Sequence, residues 1–326
     1  MPQMLSRKFK SMACECEITL YRSAQKTVDT SSADISADLC HADLEIIISE
    51  MIAEVARIEA KYSRYLSDSI IAKINSTAGS GQEVHVDTET AQLLDYADSA
   101  FKQSAGLFDI TSGVLRTAWN FKELTLPTQK ELDAILPLIG WQEVMRSSKT
   151  EISATVLLPI PGMQLDFGGF GKEYAVDRAA AIGSKYANIA GLVNLGGDVR
   201  VFGKRVDENF KAAPFFIGIA HPRSANAVLA TVKIEHGSAS ALATSGDYER
   251  FMEVAGKRYC HIINPRTGWP VTELSSVTVF SESCLIAGTL ATITMLLGKK
   301  RGQRFLKDSN VKALLVEASS GKISQI

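Results

Sequence analysis

The sequence lacks the features that would assign it to several large classes of protein. Its 35 Lys and Arg residues are balanced by 36 Asp and Glu residues, so no excess of positive charge is available to neutralise nucleic-acid phosphates. Its longest apolar run, 284–298, contains threonines and is shorter than the roughly 20 residues that a membrane-spanning helix needs. We therefore expect neither a nucleic-acid partner nor a membrane span.

Cysteine is scarce as well, and its spacing carries no motif. The five cysteines are an odd number without a C-x-x-C pair, which predicts neither a disulfide framework nor a zinc site. The N-terminus passes from basic residues into a strand-like stretch without the apolar core of a signal peptide. These features predict a cytoplasmic protein with reduced thiols, or a periplasmic protein if an export leader was removed.

The remaining composition is that of a globular protein, since 46% of the 326 residues are hydrophobic and the chain is long enough for two lobes. Apolar periodicity predicts helices over 37–65, 88–105, 172–186 and 284–297, and a polar loop over 23–36. Strands are predicted at 16–21, 83–86, 151–158, 163–167, 191–202, 215–220, 228–235, 250–263 and 275–281. Runs of strands with grouped helices favour an α+β class. The turn at 159–162 suggests lobes of residues 1–160 and 161–326.

Glycine-rich turns are the first candidates for a functional site. In the segment 166–172, DFGGFGK, three glycines allow close approach of the backbone to a ligand, and the following helix offers free amides that suit a phosphate. The segment is neither a P-loop nor a complete dinucleotide fingerprint, and a structural turn is the alternative interpretation. The segments 194–198 and 243–248 join glycine to a carboxylate, which is also typical of hairpin turns.

A histidine and a helix face complete the candidates. His261 lies beside a dense group of turn and polar residues, 259–268, and a neutral imidazole is the usual general base near pH 7. A structural histidine at the end of a strand is the alternative. Gly288 and Thr292 share one face of the last apolar helix, where a polar pair would hold an ion. That face offers a single hydroxyl, so core packing is the simpler interpretation.

The order of these motifs closely resembles that of the ApbE family, the FAD:protein FMN transferases, over nearly the whole chain. The motifs are Met12, the run Ser63-Arg-Tyr65 with Asp68-Ser69 and Asn75, Gly106-Leu-Phe-Asp109, and the segments 166–172, 194–198, 243–248, 261–268 and 284–292. The resemblance implies a two-lobed α+β fold with mainly antiparallel sheets flanked by helices. It also implies FAD bound between the lobes with Mg²⁺ at the pyrophosphate, and transfer of FMN to a Thr or Ser hydroxyl of an acceptor flavoprotein, with release of AMP.

The resemblance also implies a role for individual residues. His261 matches the general base for the acceptor hydroxyl. The implied FAD-binding residues are Met12, Tyr65, Leu107, Phe108, Asp109, Asp166, Lys172 and Ile262, and the implied metal ligands are a main-chain oxygen at Gly169 and the hydroxyl of Thr292.

Three positions depart from the family pattern. Gly288 replaces an aspartate whose carboxylate binds Mg²⁺, Glu173 replaces a glycine, and Ala13-Cys14 replaces Gly-Thr. Because Mg²⁺ prefers oxygen ligands that include a carboxylate, two hypotheses remain open. In the first, the protein is an active transferase that holds its metal more weakly, or through Glu173 or Asp247. In the second, it is a catalytically weak relative that binds FAD as a carrier or partner-binding protein. The persistence of the other site residues favours the first.

Overall fold

The computed structural model describes residues 3–22, 41–121, 124–150, 153–207, 209, 211–224, 227–235 and 240–326. The α-helices in these residues are α1 (His41–Tyr62), α2 (Ile70–Ser76), α3 (Thr88–Gln103), α4 (Gln129–Ile135), α5 (Gly171–Gly183) and α6 (Cys284–Asp308). Short 3-10 helices span Ser112–Thr117, Leu136–Leu138 and Trp141–Glu143. The loop predicted for 23–36 lies outside the described residues.

The strands of the described residues complete the set of elements. They are β1 (Gln3–Ser11), β2 (Cys14–Arg22), β3 (Val84–Val86), β4 (Met145–Thr150), β5 (Ser153–Leu157), β6 (Ile189–Leu195), β7 (Asp198–Phe202), β8 (Phe215–Ala220), β9 (Val228–Ile234), β10 (Ala241–Gly246), β11 (Phe251–Val254), β12 (Lys257–Cys260), β13 (Leu274–Ser281), β14 (Lys312–Glu317) and β15 (Ile323–Gln325).

An eight-stranded antiparallel sheet forms the centre of the fold. Its strand order is β1-β2-β6-β7-β10-β13-β14-β15, and every neighbouring pair is antiparallel. A three-stranded antiparallel sheet, β3-β5-β4, and the hairpins β8-β9 and β11-β12 account for the other strands. The predicted α+β class with mainly antiparallel sheets is therefore confirmed.

Three helices cover this sheet and create its core. Helix α5 packs between α1 and α6, and α6 packs on β10 and β13. Their inward faces are apolar at helical spacing, as in α1, where Ile47, Met51, Val55 and Ile58 are all within 1% of complete burial. Each such side chain stabilises the fold by about 1.5–3 kcal/mol through removal from water. The helices are thereby held rigidly enough to position side chains at their ends.

The segment 163–167 corrects one prediction, because it is not a strand. The main-chain amide of Leu165 donates to the side-chain oxygen of Asn75 at 2.7 Å, and its carbonyl accepts from the Asn75 amide at 3.0 Å. The next amide, that of Asp166, donates to the carbonyl of Ile110 at 2.8 Å. An extended segment whose hydrogen bonds go to a side chain and a loop cannot join a sheet ladder.

The lobe boundary at residue 160 stays a prediction. Strands β1 and β2 precede that residue, and β2 pairs along its length with β6, which follows it. One continuous apolar core includes side chains from both sides of the boundary. Within the described residues, no helix is both long and apolar enough to cross a bilayer.

Candidate active site

One cavity of about 370 Å³ is lined by every residue to which the resemblance assigned a role. Its lining comes from the N-terminal hairpin, the end of α1, the segments 107–116 and 166–173, and helix α6. The predicted residues in the lining are Met12, Tyr65, Leu107, Phe108, Asp109, Asp166, Gly169, Lys172, His261, Ile262 and Thr292. Gly288 is buried against the side chain of Glu173 and is not part of the lining.

The hairpin between β1 and β2 brings Met12 to the cavity in a strained conformation. Met12 and Ala13 form a two-residue turn with φ values of 51° and 59°, in the left-handed region that non-glycine residues rarely adopt. Glu59 of α1 holds the turn by accepting the Met12 amide at 2.8 Å. Strain of this kind, stabilised by its surroundings, is concentrated at functional sites.

The glycine segment opens the N-terminus of α5 toward the cavity. The residue that precedes this helix, Phe170, makes no side-chain capping hydrogen bond, and Gly168, Gly169 and Gly171 all line the cavity. A Cβ atom on Gly169 would approach the Phe108 ring to 3.2 Å, so a side chain would narrow the cavity there. The Gly171 amide donates to the Phe167 carbonyl at 2.6 Å, but no side chain caps the helix, and the positive end of its dipole favours a bound phosphate.

Asp166 anchors the first end of this segment between two arginines. Its carboxylate accepts from Arg64 at 3.2 Å and lies 3.6 Å from Nε of Arg116, and it also accepts the Gly168 amide at 2.8 Å. A side chain at Gly113 would collide with the Cβ of Asp166, so this close arrangement requires glycine. Sequence reasoning missed Arg116, because the short 3-10 helix that carries it, Ser112–Thr117, has no recognisable motif.

Lys172 is held by an ion pair with Asp198, which the second glycine motif supplies. Asp198 is 1% exposed and also accepts the Thr244 amide at 3.0 Å. Burial opposes the charge on Lys172, but the carboxylates around it raise the pKa of its ammonium above the usual range. The turn at 194–198 thus positions a permanent positive charge at the cavity. Arg250, in the lining, adds a cation that the sequence did not indicate.

Glu173 is the least satisfied polar group of the site. Its side chain is 8% exposed, and Oε2 has no hydrogen-bond partner among the described residues. Burial, together with the nearby charge of Asp198, raises the pKa of this carboxyl to about 8. An orphaned carboxylate oxygen in a cavity fits a cation ligand, because burial without a partner is unfavourable. No group of three or more His, Cys, Asp or Glu residues that could hold a metal exists in the described part of the chain.

His261 has the geometry of a neutral base. Its Nδ1 lies 3.1 Å from the main-chain oxygen of Arg250, and because a carbonyl only accepts, Nδ1 carries the proton. Burial first, and then the positive charges of Arg250, Arg116 and Lys172, lower the pKa of the ring to about 4 against the opposite effect of this hydrogen bond. The other ring nitrogen, Nε2, is left with a free electron pair at neutral pH.

Other predicted residues shape the cavity. Asp109, 7% exposed, accepts the amides of Thr111 at 2.8 Å and Trp141 at 3.2 Å, and burial raises the pKa of its carboxyl. Its oxygens therefore hold a loop together. Tyr65 is 74% exposed in the lining, where its ring can stack on a flat ligand. Leu107, Phe108 and Ile262 provide buried apolar surface.

Two motif residues have structural roles away from the cavity. Asp247 does not line the cavity. Each of its two carboxylate oxygens accepts a hydrogen bond from Arg223, at 2.6 and 2.7 Å. This pairing leaves Asp247 poorly placed as an alternative metal ligand. Ser69 caps α2 by accepting the Ala72 amide at 2.9 Å. Thr292, by contrast, lies in the lining and shares a hydrogen bond of 2.8 Å with Ser245.

Together these groups define a protein of one chemical class. The site joins fixed positive charges, an uncapped helix N-terminus, an exposed aromatic ring and a neutral histidine in one cavity, which suits a phosphorylated ligand that carries ring systems. The comparisons with known proteins specify the class. A model of the ApbE family matches residues 12–315, and the chain belongs to that family.

Relatives in sequence and structure agree with this assignment. The FAD:protein FMN transferase of Treponema pallidum is 30% identical over 301 residues, which cover 87% of this chain and 82% of the relative. The Haemophilus influenzae protein of the same name is 26% identical over 89% of this chain and 82% of its own length. The crystal structure of the ApbE protein of Thermotoga maritima superposes with a TM-score of 0.82 at 29% identity, covering 99% of this chain and 97% of that one. The predicted family is therefore confirmed.

Proposed function

We propose that the protein is an FAD:protein FMN transferase. It moves FMN from FAD to a Thr or Ser hydroxyl of an acceptor flavoprotein, releases AMP and depends on Mg²⁺. The observation that carries the proposal is that one cavity gathers all the residues to which the resemblance gives a role, with a neutral histidine among them. The names of the sequence relatives support the same reaction.

The residues of the site account for the proposed chemistry. The acceptor hydroxyl oxygen attacks the phosphorus of the FMN half, a new phosphoester bond forms, and the pyrophosphate bond to AMP breaks. Nε2 of His261 takes the hydroxyl proton, because its partner Nδ1 is fixed by the Arg250 carbonyl. Lys172, Arg116 and the amides at the start of α5 stabilise the charge that develops on the phosphate oxygens.

A divalent cation would add charge neutralisation at the pyrophosphate. The residues present that would hold it are Thr292, through its hydroxyl, and Gly169, through its main-chain oxygen, both of which line the cavity. When bound, Mg²⁺ supplies Lewis-acid stabilisation of the leaving phosphate. Gly288 contributes no carboxylate, and this single observation favours a second candidate function, an FAD-binding relative with weak or no transferase activity.

Incubation with FAD, Mg²⁺ and an acceptor that bears a Thr-containing target loop separates the two functions. The proposed transferase releases free AMP and leaves covalent flavin on the acceptor, which mass spectrometry detects on the target residue. Replacement of the acceptor threonine by alanine is the matched control and abolishes both products. FAD that binds but stays intact with every acceptor and divalent metal would leave the FAD-binding function instead.

A further inference from the structure

Glu173 and Gly288 depart together from the family pattern, and the structure brings them into contact. A Cβ atom on Gly288 would lie 2.6 Å from Cγ and 2.8 Å from Oε1 of Glu173. The carboxylate of Glu173 therefore fills the space that a side chain at position 288 would occupy. Only one of the two positions can carry a carboxylate without displacement of the other.

The pairing of α5 with α6 explains this contact. Asp177 of α5 accepts the amides of Cys284 and Leu285 at the start of α6, both at 2.9 Å. One helical turn away, Glu173 meets Gly288, so the two helices run antiparallel in a fixed register. Thr292 lies one further turn along α6, and both it and Gly169, which precedes α5, line the cavity. Glu173 thus lines the same cavity as the two oxygen donors already assigned to the cation.

Glu173 also has a free oxygen, unlike its neighbours. Its side chain is more than nine-tenths buried, lines the cavity and leaves Oε2 without a partner among the described residues. The adjacent carboxylate of Asp198 is engaged by Lys172 and by the Thr244 amide. Asp247 is engaged on both oxygens by Arg223. Of these three carboxylates, only that of Glu173 has an oxygen left free to bind a ligand.

We propose that the Glu173 carboxylate is a ligand of the divalent cation at the nucleotide pyrophosphate and takes the place of a side chain at position 288. The site then offers a carboxylate, a hydroxyl and a main-chain oxygen, which are the hard oxygen donors that Mg²⁺ and Mn²⁺ prefer. The proposal rests on the proposed function for the identity of the nucleotide. It concerns metal binding alone and requires no turnover.

The first test measures Mn²⁺ binding to the full chain in the presence of FAD, without acceptor, by the loss of the free Mn²⁺ signal in electron paramagnetic resonance. The natural chain is expected to bind one Mn²⁺, and Glu173→Gln to bind it at least about tenfold more weakly. Glu253→Gln, which alters an exposed carboxylate outside the cavity lining, is the control and is expected to retain the affinity. Equal Mn²⁺ affinity of Glu173→Gln and the natural chain would overturn the proposal, as would no Mn²⁺ binding by the natural chain.

The second test exchanges the two positions and does not depend on the first variant folding. Gly288→Asp alone places a second side chain against Glu173 and is expected to unfold at lower temperature without a gain in Mn²⁺ affinity. The double variant E173G/G288D relieves that collision and is expected to bind Mn²⁺ at least about tenfold more tightly than E173G. Equal affinity of these last two variants would contradict the proposal. Mn²⁺ binding without FMN transfer would contradict the proposed transferase function and leave the proposed role of Glu173 intact.

Discussion

Asp166 and Glu173 stand at the two ends of one glycine-rich segment, and their carboxylates have opposite surroundings. Asp166 is satisfied by Arg64, by Arg116 and by the Gly168 amide. Glu173 is buried with an unpartnered oxygen. A carboxylate that is already neutralised by cations maintains the shape of a site, whereas a buried carboxylate with a free oxygen is available to a ligand. The difference separates the positioning end of the segment from its ligand-binding end.

The largest effect is expected at His261, whose pKa is lowered by burial first and then by nearby cations, among them Arg116 and Lys172 from the two ends. His261→Gln should lower kcat for FMN transfer by about 10²–10⁴-fold, because general base catalysis contributes that much. FAD affinity, followed by flavin fluorescence, should be unchanged. His85→Gln on β3, outside the cavity lining, is the control. Full activity of His261→Gln would show that this histidine is not the general base.

The next effect is loss of stability at the Glu173 end. Asp198→Asn removes the charge that neutralises Lys172, and we expect it to lower the free energy of unfolding by about 3 kcal/mol. This value is at the low end for a buried pair because 25% of the Lys172 side chain is exposed. Urea unfolding measures it. Glu253→Gln, which breaks the exposed pair with Arg258, should cost less than about 1 kcal/mol. Equal costs for the two variants would contradict this account of the ion pair.

A smaller loss is expected at the other end. Asp166→Asn keeps an acceptor for the Gly168 amide but loses the charge that binds two arginines. Hydrogen bonds to charged groups contribute about 1.5–3 kcal/mol, and urea unfolding should show a loss in that range. Asp95→Asn removes one of the two carboxylate partners of Arg146, the one that is 77% exposed, and should cost less than about 1 kcal/mol. A loss for Asp166→Asn as small as that of Asp95→Asn would mean that this end is not tightly anchored.

The smallest effect is a pH dependence. In the nucleotide-free protein, histidine NMR should show a ring with a pKa of about 4, assigned by its absence in His261→Gln. Because the unfolded ring titrates near 6.5, the unfolded chain binds a proton that the folded protein does not. The contribution of His261 to stability is therefore complete above pH 6.5 and is lost as the pH falls toward 4. A ring that titrates at 6.5 in the folded protein would contradict the assigned burial and surrounding charge.

Much of the fold follows from periodicity. The long amphipathic helix is predicted over 37–65 and found at His41–Tyr62, because most of its apolar residues recur at helical spacing and are buried, although Ile46 is 56% exposed. Strands β1 and β10 are not predicted, because β1 is mostly exposed and polar, and β10 is a run of small residues without alternation. Their partners in the sheet determine their conformation, and no local pattern records those partners.

Only those residues of the candidate site that belong to a sequence motif could be predicted from the sequence. Glycine turns and His261 are conspicuous in the sequence, but Arg116 and Arg250 reach the cavity through the tertiary fold. The contact between Glu173 and Gly288 is equally invisible, because it joins positions more than a hundred residues apart through the packing of α5 on α6. Sequence reasoning marked both departures but not that one side chain occupies the place of the other.

The most direct test of the account is a crystal structure of the natural chain with FAD and Mn²⁺, in which anomalous scattering locates the metal. The account predicts FAD in the cavity with its pyrophosphate at the start of α5, and an anomalous peak bonded to a Glu173 oxygen and to the Thr292 hydroxyl. A peak without a Glu173 ligand, or FAD bound outside this cavity, would contradict it.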